Sequence, residues 1–336
     1  MLGLIANPAA GKDVRRLVAP GTIVTNEVKV GALAGVLTGA RAAGERRVMY
    51  LPDPKQLVRR AAEMCGSDLE LAPIAGPGTA TWLDTMAAAS ALRDAGADAV
   101  VTLGGDGTNR AAVLGWRDIP VLPISAGTNN AFPSHLDGTV AGLAAGAVSS
   151  GRVGLGEVAR QRPVVQVLGD AGVDDVAVVD AVALRAGPVG ARALYDPGAL
   201  QLAIVVGPQP TVTGLAGMAA LFCPDAGPED AVVMAFGAGP ARTVVLAPGL
   251  LASVLARARV LAPGEVVSVK GPCLLAYDGE RDRAVASGAV VDFQVRAEGP
   301  RVIDAGRALR AAALCDRPGA PLPDAELLTG GLKRGH

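Results

Sequence analysis

Val100-Val101-Thr102-Leu103-Gly104-Gly105-Asp106-Gly107-Thr108 is the stretch whose reading decides the fold. The apolar run from Asp98 to Leu103 has the continuous hydrophobicity of a strand buried on both faces. It breaks into two glycines, an aspartate, a third glycine and a threonine. Glycines at a strand end permit positive φ and leave no Cβ between backbone and ligand. Their amides can therefore face phosphate oxygens, with Asp106 as the fixed negative charge in the same crevice. A carboxylate among anion-binding amides has a use where a cation is held or a proton is moved, which points to phosphoryl transfer. The plainer alternative is a glycine-rich strand-to-helix turn with Asp106 as its N-cap.

Working outward, the first half alternates strands with helices. Leu2 to Ala6 is a short apolar strand ending at Asn7-Pro8-Ala9-Ala10-Gly11-Lys12. Glu27–Ala43, Pro54–Cys65 and Thr81–Ala95 have helical spacing, with Pro54 at a helix start and Gly96 at a helix end. Arg47–Leu51, Leu69–Ile74 and Pro120–Ser125 are strand-like, and Ala111–Trp116 continues as helix from the glycine loop. This alternation predicts an α/β domain with a parallel sheet, its ligand loops at the carboxyl ends of the strands. The loops Asn7–Lys12, Gly104–Thr108 and Ala126–Pro133 all sit at such ends.

Beyond the helical piece Val140–Val148 the pattern changes. Val164–Leu168, Val176–Leu184, Leu202–Val206, Val232–Phe236, Thr243–Leu246, Val266–Val269, Cys273–Tyr277 and Val290–Val295 are apolar runs separated by Gly, Pro and Asp turns. They predict a β-rich, sandwich-like C-terminal domain. Arg307–Leu314 is a helix, followed by a Pro- and Gly-rich tail. The expected division is an α/β nucleotide-binding domain over 1–138, a β-rich acceptor domain over 139–303 and a C-terminal helix and tail over 304–336.

Composition narrows the function. The chain has 336 residues, enough for two ordinary domains, and its hydrophobic half is mostly Ala, Val and Leu, with only 3% aromatic. A formal net charge of −1 gives no electrostatic case for nucleic acid or an anionic membrane. Cys65, Cys223, Cys273 and Cys315 have no paired spacing and read as free thiols of a reducing, cytoplasmic compartment. With only His135 and His336, a Ser-His-Asp scheme has little to draw on. Pro197–Pro224 carries no charge, yet Pro208-Gln209-Pro210 interrupts it, so a strand, a turn and a buried segment fit better than a membrane span.

Three further motifs bear on chemistry. Gly11-Lys12 resembles half of a phosphate loop, but Asp13 stands where the Ser or Thr of a P-loop would hold magnesium, which excludes a P-loop NTPase. A glycine amide and Lys12 at a strand-to-helix turn can still cradle phosphates, or simply cap the helix. Gly127-Thr128-Asn129-Asn130 offers a hydroxyl and two carboxamides suited to a nucleotide, or an ordinary turn. Asp278-Gly279-Glu280 reads either as a hairpin turn with two solvated acids or as a second carboxylate site facing Asp106.

In their order along the chain, Asn7-Pro8-Ala9-Ala10-Gly11, Gly104–Thr108, Gly127-Thr128-Asn129 and Asp278-Gly279-Glu280 resemble the superfamily of NAD kinases, diacylglycerol kinases and sphingosine kinases. Ile5–Val18, Gly127–Pro133 and Val189–Leu194 most resemble its ATP-NAD kinase/AcoX branch. The resemblance implies an active site between the two domains, with ATP as donor and Mg²⁺ as cofactor. It implies that Asp106 is catalytic, with Glu280 matching the glutamate of the lipid-kinase branch. Asn7, Gly11, Lys12, Gly104, Gly105, Gly107 and Thr108 would bind the donor phosphates, and Thr128 and Asn129 the nucleotide. Asn130 and Asp180 fall to the acceptor side, and Asp106 with Asp278 to the metal.

NAD kinases hold the dinucleotide's ribose with an Asn-Glu pair, and the corresponding residues here are Asp180-Ala181. That departure bears on the acceptor and leaves the donor side untouched. The expectation is a phosphotransferase acting on NAD, another small hydroxylated metabolite or a lipid, with a non-catalytic nucleotide-binding protein as the other class. Expected partners are a small-molecule nucleotide and acceptor, not nucleic acid or membrane, in a homo-oligomer.

Overall fold

The computed structural model describes residues 1–11, 24–65, 68–127, 130–185 and 197–315. Its first layer is a seven-stranded sheet in the spatial order Glu70–Pro73, Arg47–Tyr50, Leu2–Ala6, Ala99–Gly104, Pro120–Ser125, Arg301–Ile303 and Ala159–Gln161. The elements run β1 (Leu2–Ala6), α1 (Asn26–Ala42), β2 (Arg47–Tyr50), α2 (Leu57–Cys65), β3 (Glu70–Pro73), α3 (Trp82–Asp94), β4 (Ala99–Gly104), α4 (Asp106–Gly115), β5 (Pro120–Ser125), α5 (Gly138–Ser149), α6 (Leu155–Val158) and β6 (Ala159–Gln161). The strands from β3 to β5 pair in parallel, as the strand–helix alternation predicts. Successive side chains point to opposite faces. Leu2, Leu4 and Ala6 of β1 and Ala99, Val101 and Leu103 of β4 therefore share a core with α1, α2 and α5. Ile5 and Val100 face the other way, toward α3.

The chain then forms β7 (Val164–Gly169), β8 (Val173–Ala177), β9 (Asp180–Arg185), β10 (Leu200–Val206), α7 (Leu215–Phe222), β11 (Ala231–Ala247), β12 (Leu250–Val260), β13 (Val266–Lys270), β14 (Cys273–Tyr277), β15 (Glu280–Val285) and β16 (Val290–Arg296). It returns through β17 (Arg301–Ile303) to α8 (Ala305–Cys315). A six-stranded sheet, β12-β11-β10-β9-β14-β15, lies against a four-stranded sheet, β13-β16-β7-β8. Val165, Val167, Ala181, Ala183, Ile204, Leu275, Val291 and Phe293 fill the space between them. Val182, Leu184, Ala203 and Val205, on the opposite face of the larger sheet, join the core that includes Ala112, Val113, Trp116 and Phe132. The second half is a β-sandwich docked on the first sheet's helices.

Several elements differ from the sequence pattern, each for a local reason. The run Val176–Leu184 is two strands, because the amides of Val178 and Val179 leave the ladder for the Asp278 carboxylate. The runs Val232–Phe236 and Thr243–Leu246 are one strand, β11, which carries Gly237 and Gly239 at positive φ through a register shift. Strand β12, rich in the helix formers Leu, Ala and Arg, has no counterpart in the pattern and is specified by pairing with β11. Helix α2 starts at Leu57 rather than Pro54, since both Asp53 oxygens accept amides of the preceding turn, from Lys55 and Leu57. The Pro197–Pro224 stretch resolves into β10 and the eight-residue α7, and no helix among the described residues is long and apolar enough to cross a membrane.

A boundary at 138/139 would cut through packed structure. Helix α5 shares the core of α1, and β6 and β17, from within 139–303, complete the first sheet beside β5. Ala308 of α8 joins that same core, so the described part of the C-terminal segment packs back on the first domain.

The contact of α1 with α5 is made by glycines. A Cβ on Gly142 would overlap the Val36 carbonyl oxygen, and one on Gly138 that of Ala32. A helix-interior Gly→Ala change gains up to about 1 kcal/mol of propensity, whereas forcing atoms into packed backbone costs roughly 1–3 kcal/mol. Gly142→Ala is therefore expected to lower the melting temperature. Gly31→Ala, on the same helix pair with open space around its Cβ, is expected to raise it. Thermal denaturation of the two variants gives opposite signs if helix contact, not glycine flexibility, explains Gly142.

Candidate active site

Chain direction places the site. From β1 the chain moves to β2 and β3 on one side, and from β4 to β5 on the other, so the loops after β1 and β4 part at a crevice. Such a switch point is where open parallel sheets bind ligands. Asn7–Gly11 follows β1, Gly105–Thr108 follows β4, and Ala126–Phe132 follows β5.

Helix α4 begins at Asp106 itself, so Gly107 and Thr108 lie in its first turn. The first amides of a helix have no intrahelical acceptor and favour anions. The N-cap is Gly105, without a side-chain bond, so Asp106 is not the cap. Its carboxylate reaches across to the loop after β5. The amide of Phe132 donates to Oδ1 at 2.9 Å, and the amide of Ala131 donates to both oxygens at 3.1 Å. Two loops thereby fix the carboxylate's direction.

The glycines of this motif serve packing rather than positive φ. Gly105 has φ −106, and a Cβ there would lie 2.8 Å from Asn130 Oδ1. At Gly104 a Cβ would lie 2.5 Å from the Thr108 hydroxyl. Gly11 does take the left-handed conformation (φ +73), and its missing Cβ lets the loop after β1 lie against the Ala126 carbonyl. The three loops thus meet backbone to backbone.

Each loop also has a polar fastening. Asn7 Nδ2 donates to Thr108 Oγ1 at 2.9 Å, while Asn7 Oδ1 accepts the amides of Ala9 at 2.8 Å and Ala10 at 3.3 Å. Asn130 Nδ2 donates to Ser125 Oγ at 2.8 Å. Asn7 and Asn130 therefore hold the loops in shape. Lys29 of α1, 1% exposed, donates to the carbonyls of Asn7, Pro8 and Ala10 at 3.2, 2.8 and 2.6 Å. Each of these carbonyls can accept one of the protons of an ammonium. Behind the glycine loop, Thr102 Oγ1 donates to Asn109 Oδ1 at 2.7 Å and Asn109 Nδ2 to the Gly105 carbonyl at 2.9 Å.

The second domain brings acids to the same place. Asp278 (φ 49) and Gly279 (φ 82) form the tight turn between β14 and β15. Asp278 is not a solvated turn residue; it is 4% exposed. Its carboxylate accepts the amides of Val178 at 2.9 Å, Val179 at 2.7 Å and Asp180 at 3.1 Å, and its own amide donates to the Asp180 carbonyl at 3.0 Å. Burial pushes the Asp278 carboxyl well above the usual carboxylate range, and the charges of Asp180 and Asp106 add to that push. The Val178 amide and the Arg110 guanidinium act against it. Asp106 and Asp180 are therefore both near enough for their charges to act on Asp278.

Enclosed at 4% exposure with amides on both oxygens, Asp278 is poorly suited to ligate a metal. No cluster of three His, Cys, Asp or Glu side chains fit for a metal occurs among the described residues. Lys12, Thr128, Asn129 and Val189–Leu194 lie outside the described residues, as does the side chain of Glu280, which opens β15.

The sequence pattern did not mark Lys29, Asn109 or Arg110. Arg110 stands four residues after Asp106, the spacing of one helix face, and a lysine inside the apolar face of α1 is the signal for Lys29.

Comparison with known proteins agrees with this architecture. Residues 4–148 match the ATP-NAD kinase N-terminal domain, and residues 163–298 the acetoin catabolism protein X C-terminal domain. The chain is 31% identical over 330 residues to acetoin catabolism protein X of Cupriavidus necator, covering 93% of this chain and 92% of the relative. Yeast NADH kinase complexed with NADH superposes with a TM-score of 0.52 at 14% identity, over 96% of this chain and 90% of that one. An NAD kinase from Archaeoglobus fulgidus in complex with ATP gives a TM-score of 0.41 at 13% identity, over 80% and 98%. The chain belongs to the acetoin catabolism protein X family, with an ATP-NAD kinase N-terminal domain over residues 4–148 and the fold of NADH kinase.

Proposed function

We propose that the protein transfers the γ-phosphoryl group of ATP to a hydroxyl of a small acceptor, NAD being the leading candidate. The observation that carries this is the Asp106 carboxylate, held by the Ala131 and Phe132 amides at the mouth of the switch-point crevice. It is a base with a fixed direction beside a helix N-terminus suited to phosphate oxygens. In this mechanism the α4 N-terminus and the loops after β1 and β5 hold the nucleotide phosphates. Asp106 takes the proton of the acceptor hydroxyl as that oxygen attacks the γ-phosphorus, and ADP leaves. Mg²⁺, entering with the nucleotide, would neutralise charge on the phosphates. Positioning and electrostatics do most of the work in such transfers.

The acceptor side favours a polyhydroxylated molecule. Asp180, whose backbone is locked to Asp278, stands at the sequence position that matches the ribose-binding pair of NAD kinases, and its charge and that of Asp106 both act on Asp278. NADH is the molecule named with the yeast enzyme that shares this fold. A small hydroxyketone remains the second reading, supported by Asp180-Ala181 in place of Asn-Glu.

Transfer from ATP is tested with NAD⁺, NADH and small hydroxyketones as acceptors. Asp106→Asn is expected to lower the rate on the order of 10²–10⁴-fold, the range for losing a general base; full retained activity would remove Asp106 from catalysis. Asp180→Ala is expected to raise the KM of a ribose-bearing acceptor about 10–100-fold, the worth of a hydrogen bond to a charged group, with the KM for ATP unchanged. An equal effect on both substrates would take Asp180 out of the acceptor site.

A further inference from the structure

Arg110 links the two halves of this site in a way that the proposed chemistry has not yet used. It stands one turn after Asp106 on α4, about 6 Å further along the helix axis. Its Nε donates to the Val176 carbonyl at 2.8 Å, and its Nη2 pairs with Asp175 Oδ2 at 2.6 Å. Its Cζ lies 4.8 Å from the centre of the Tyr277 ring. These groups belong to the second domain: Asp175 and Val176 to β8, Tyr277 to β14. The ion pair is largely shielded, with side-chain exposures of 12% and 18%.

The partners are not scattered. Val176 lies two residues before Val178, whose amide binds the Asp278 carboxylate, and Tyr277 immediately precedes Asp278. Arg110 thus contacts both chain segments that the Asp278 carboxylate ties together, the end of β8 and the end of β14, and the tie includes the amide of Asp180. Domains connected by short segments move relative to one another unless their interface is fastened. Here the fastening comes from the same helix that presents Asp106. An arginine can donate from two nitrogens and stack on a ring at once, which the point charge of lysine cannot.

We infer that Arg110 is a positioning residue: it sets the separation between the Asp106 carboxylate and the acceptor-side acids Asp180 and Asp278 through Asp175, Val176 and Tyr277. This rests on the phosphotransferase reading for its kinetic consequence, and on geometry alone for its structural one.

The test uses the full chain as wild type, Arg110→Met, Arg110→Lys, Asp175→Asn and the double variant Arg110→Met/Asp175→Asn, with ATP and NAD⁺ as substrates. A misplacement of about 1 Å can cost around 10²-fold in rate. Arg110→Met is accordingly expected to lower kcat/KM for NAD⁺ about 10–100-fold, with KM for ATP within about twofold. Arg110→Lys should recover part of the loss, and the double variant should be no worse than Arg110→Met alone. Amide hydrogen exchange over 176–180 and 277–279 should accelerate in Arg110→Met, with exchange in β1 and β4 unchanged. Equal losses toward both substrates, multiplying losses in the double variant, or a lowered melting temperature with unchanged kinetic constants would overturn the inference. If Arg110→Met does not fold, Arg110→Lys and Asp175→Asn carry the same comparison. If the wild-type chain phosphorylates none of the acceptors, the phosphotransferase reading fails by itself. The exchange measurement then decides on Arg110 alone, unchanged exchange refuting it.

Discussion

Parallel pairing of β1 with β4 is the constraint on which the rest depends. Because the chain leaves these neighbours in opposite directions, their carboxyl ends cannot be bridged, and the crevice between them is fixed by topology. All that follows is the filling of that crevice by main chain. Glycine is required where one loop presses on another, at Gly11 against Ala126 and at Gly105 against Asn130. Each strand-end polar group then needs a partner, because burial without one costs about 1–3 kcal/mol. Asn7, Asn109, Asn130 and Lys29 supply those partners from side chains.

The charge pattern of the site follows from the same economy. Asp106 and Asp278 are both carboxylates solvated by main-chain amides instead of water, one by the loop after β5, the other by the bend between β8 and β9. Their surroundings differ. Asp106 sits at a helix N-terminus that favours its charge, whereas Asp278 is enclosed and placed beside two further acids. Asp278, tied to three amides of the bend between β8 and β9, braces the turn that carries it.

The alternation of apolar runs with helical spacing was enough to give the parallel sheet and the following sandwich. Leu2–Ala6, Pro120–Ser125 and Cys273–Tyr277 have strand bounds that the apolar pattern marks directly. Elements decided by tertiary contact were not legible. Strand β12 carries good helix formers, and the break at Val178–Val179 exists only because a carboxylate nearly a hundred residues away accepts those amides. In the site, the Gly-Gly-Asp-Gly-Thr stretch announced Asp106, but its carboxylate's partners, Ala131 and Phe132, are contributed through backbone and leave no trace in residue type. Lys29 and Arg110 were not marked by the pattern because their partners are carbonyls, a ring and an aspartate of distant segments.

The seating of α1 on α5 reaches further than the hydrophobic core. With Gly35 and Gly39 on one helix and Gly138, Gly142 and Gly146 on the other, the two backbones touch, and neither can slide without a collision of carbonyl and Cα. Lys29 extends from this immobilised helix to hold the carbonyls of Asn7, Pro8 and Ala10. The loop after β1 consequently has its mechanical footing in a helix pair on the far face of the sheet. A change in the spacing of those helices would be felt at the mouth of the crevice as a tilt of the main chain, with no residue there altered.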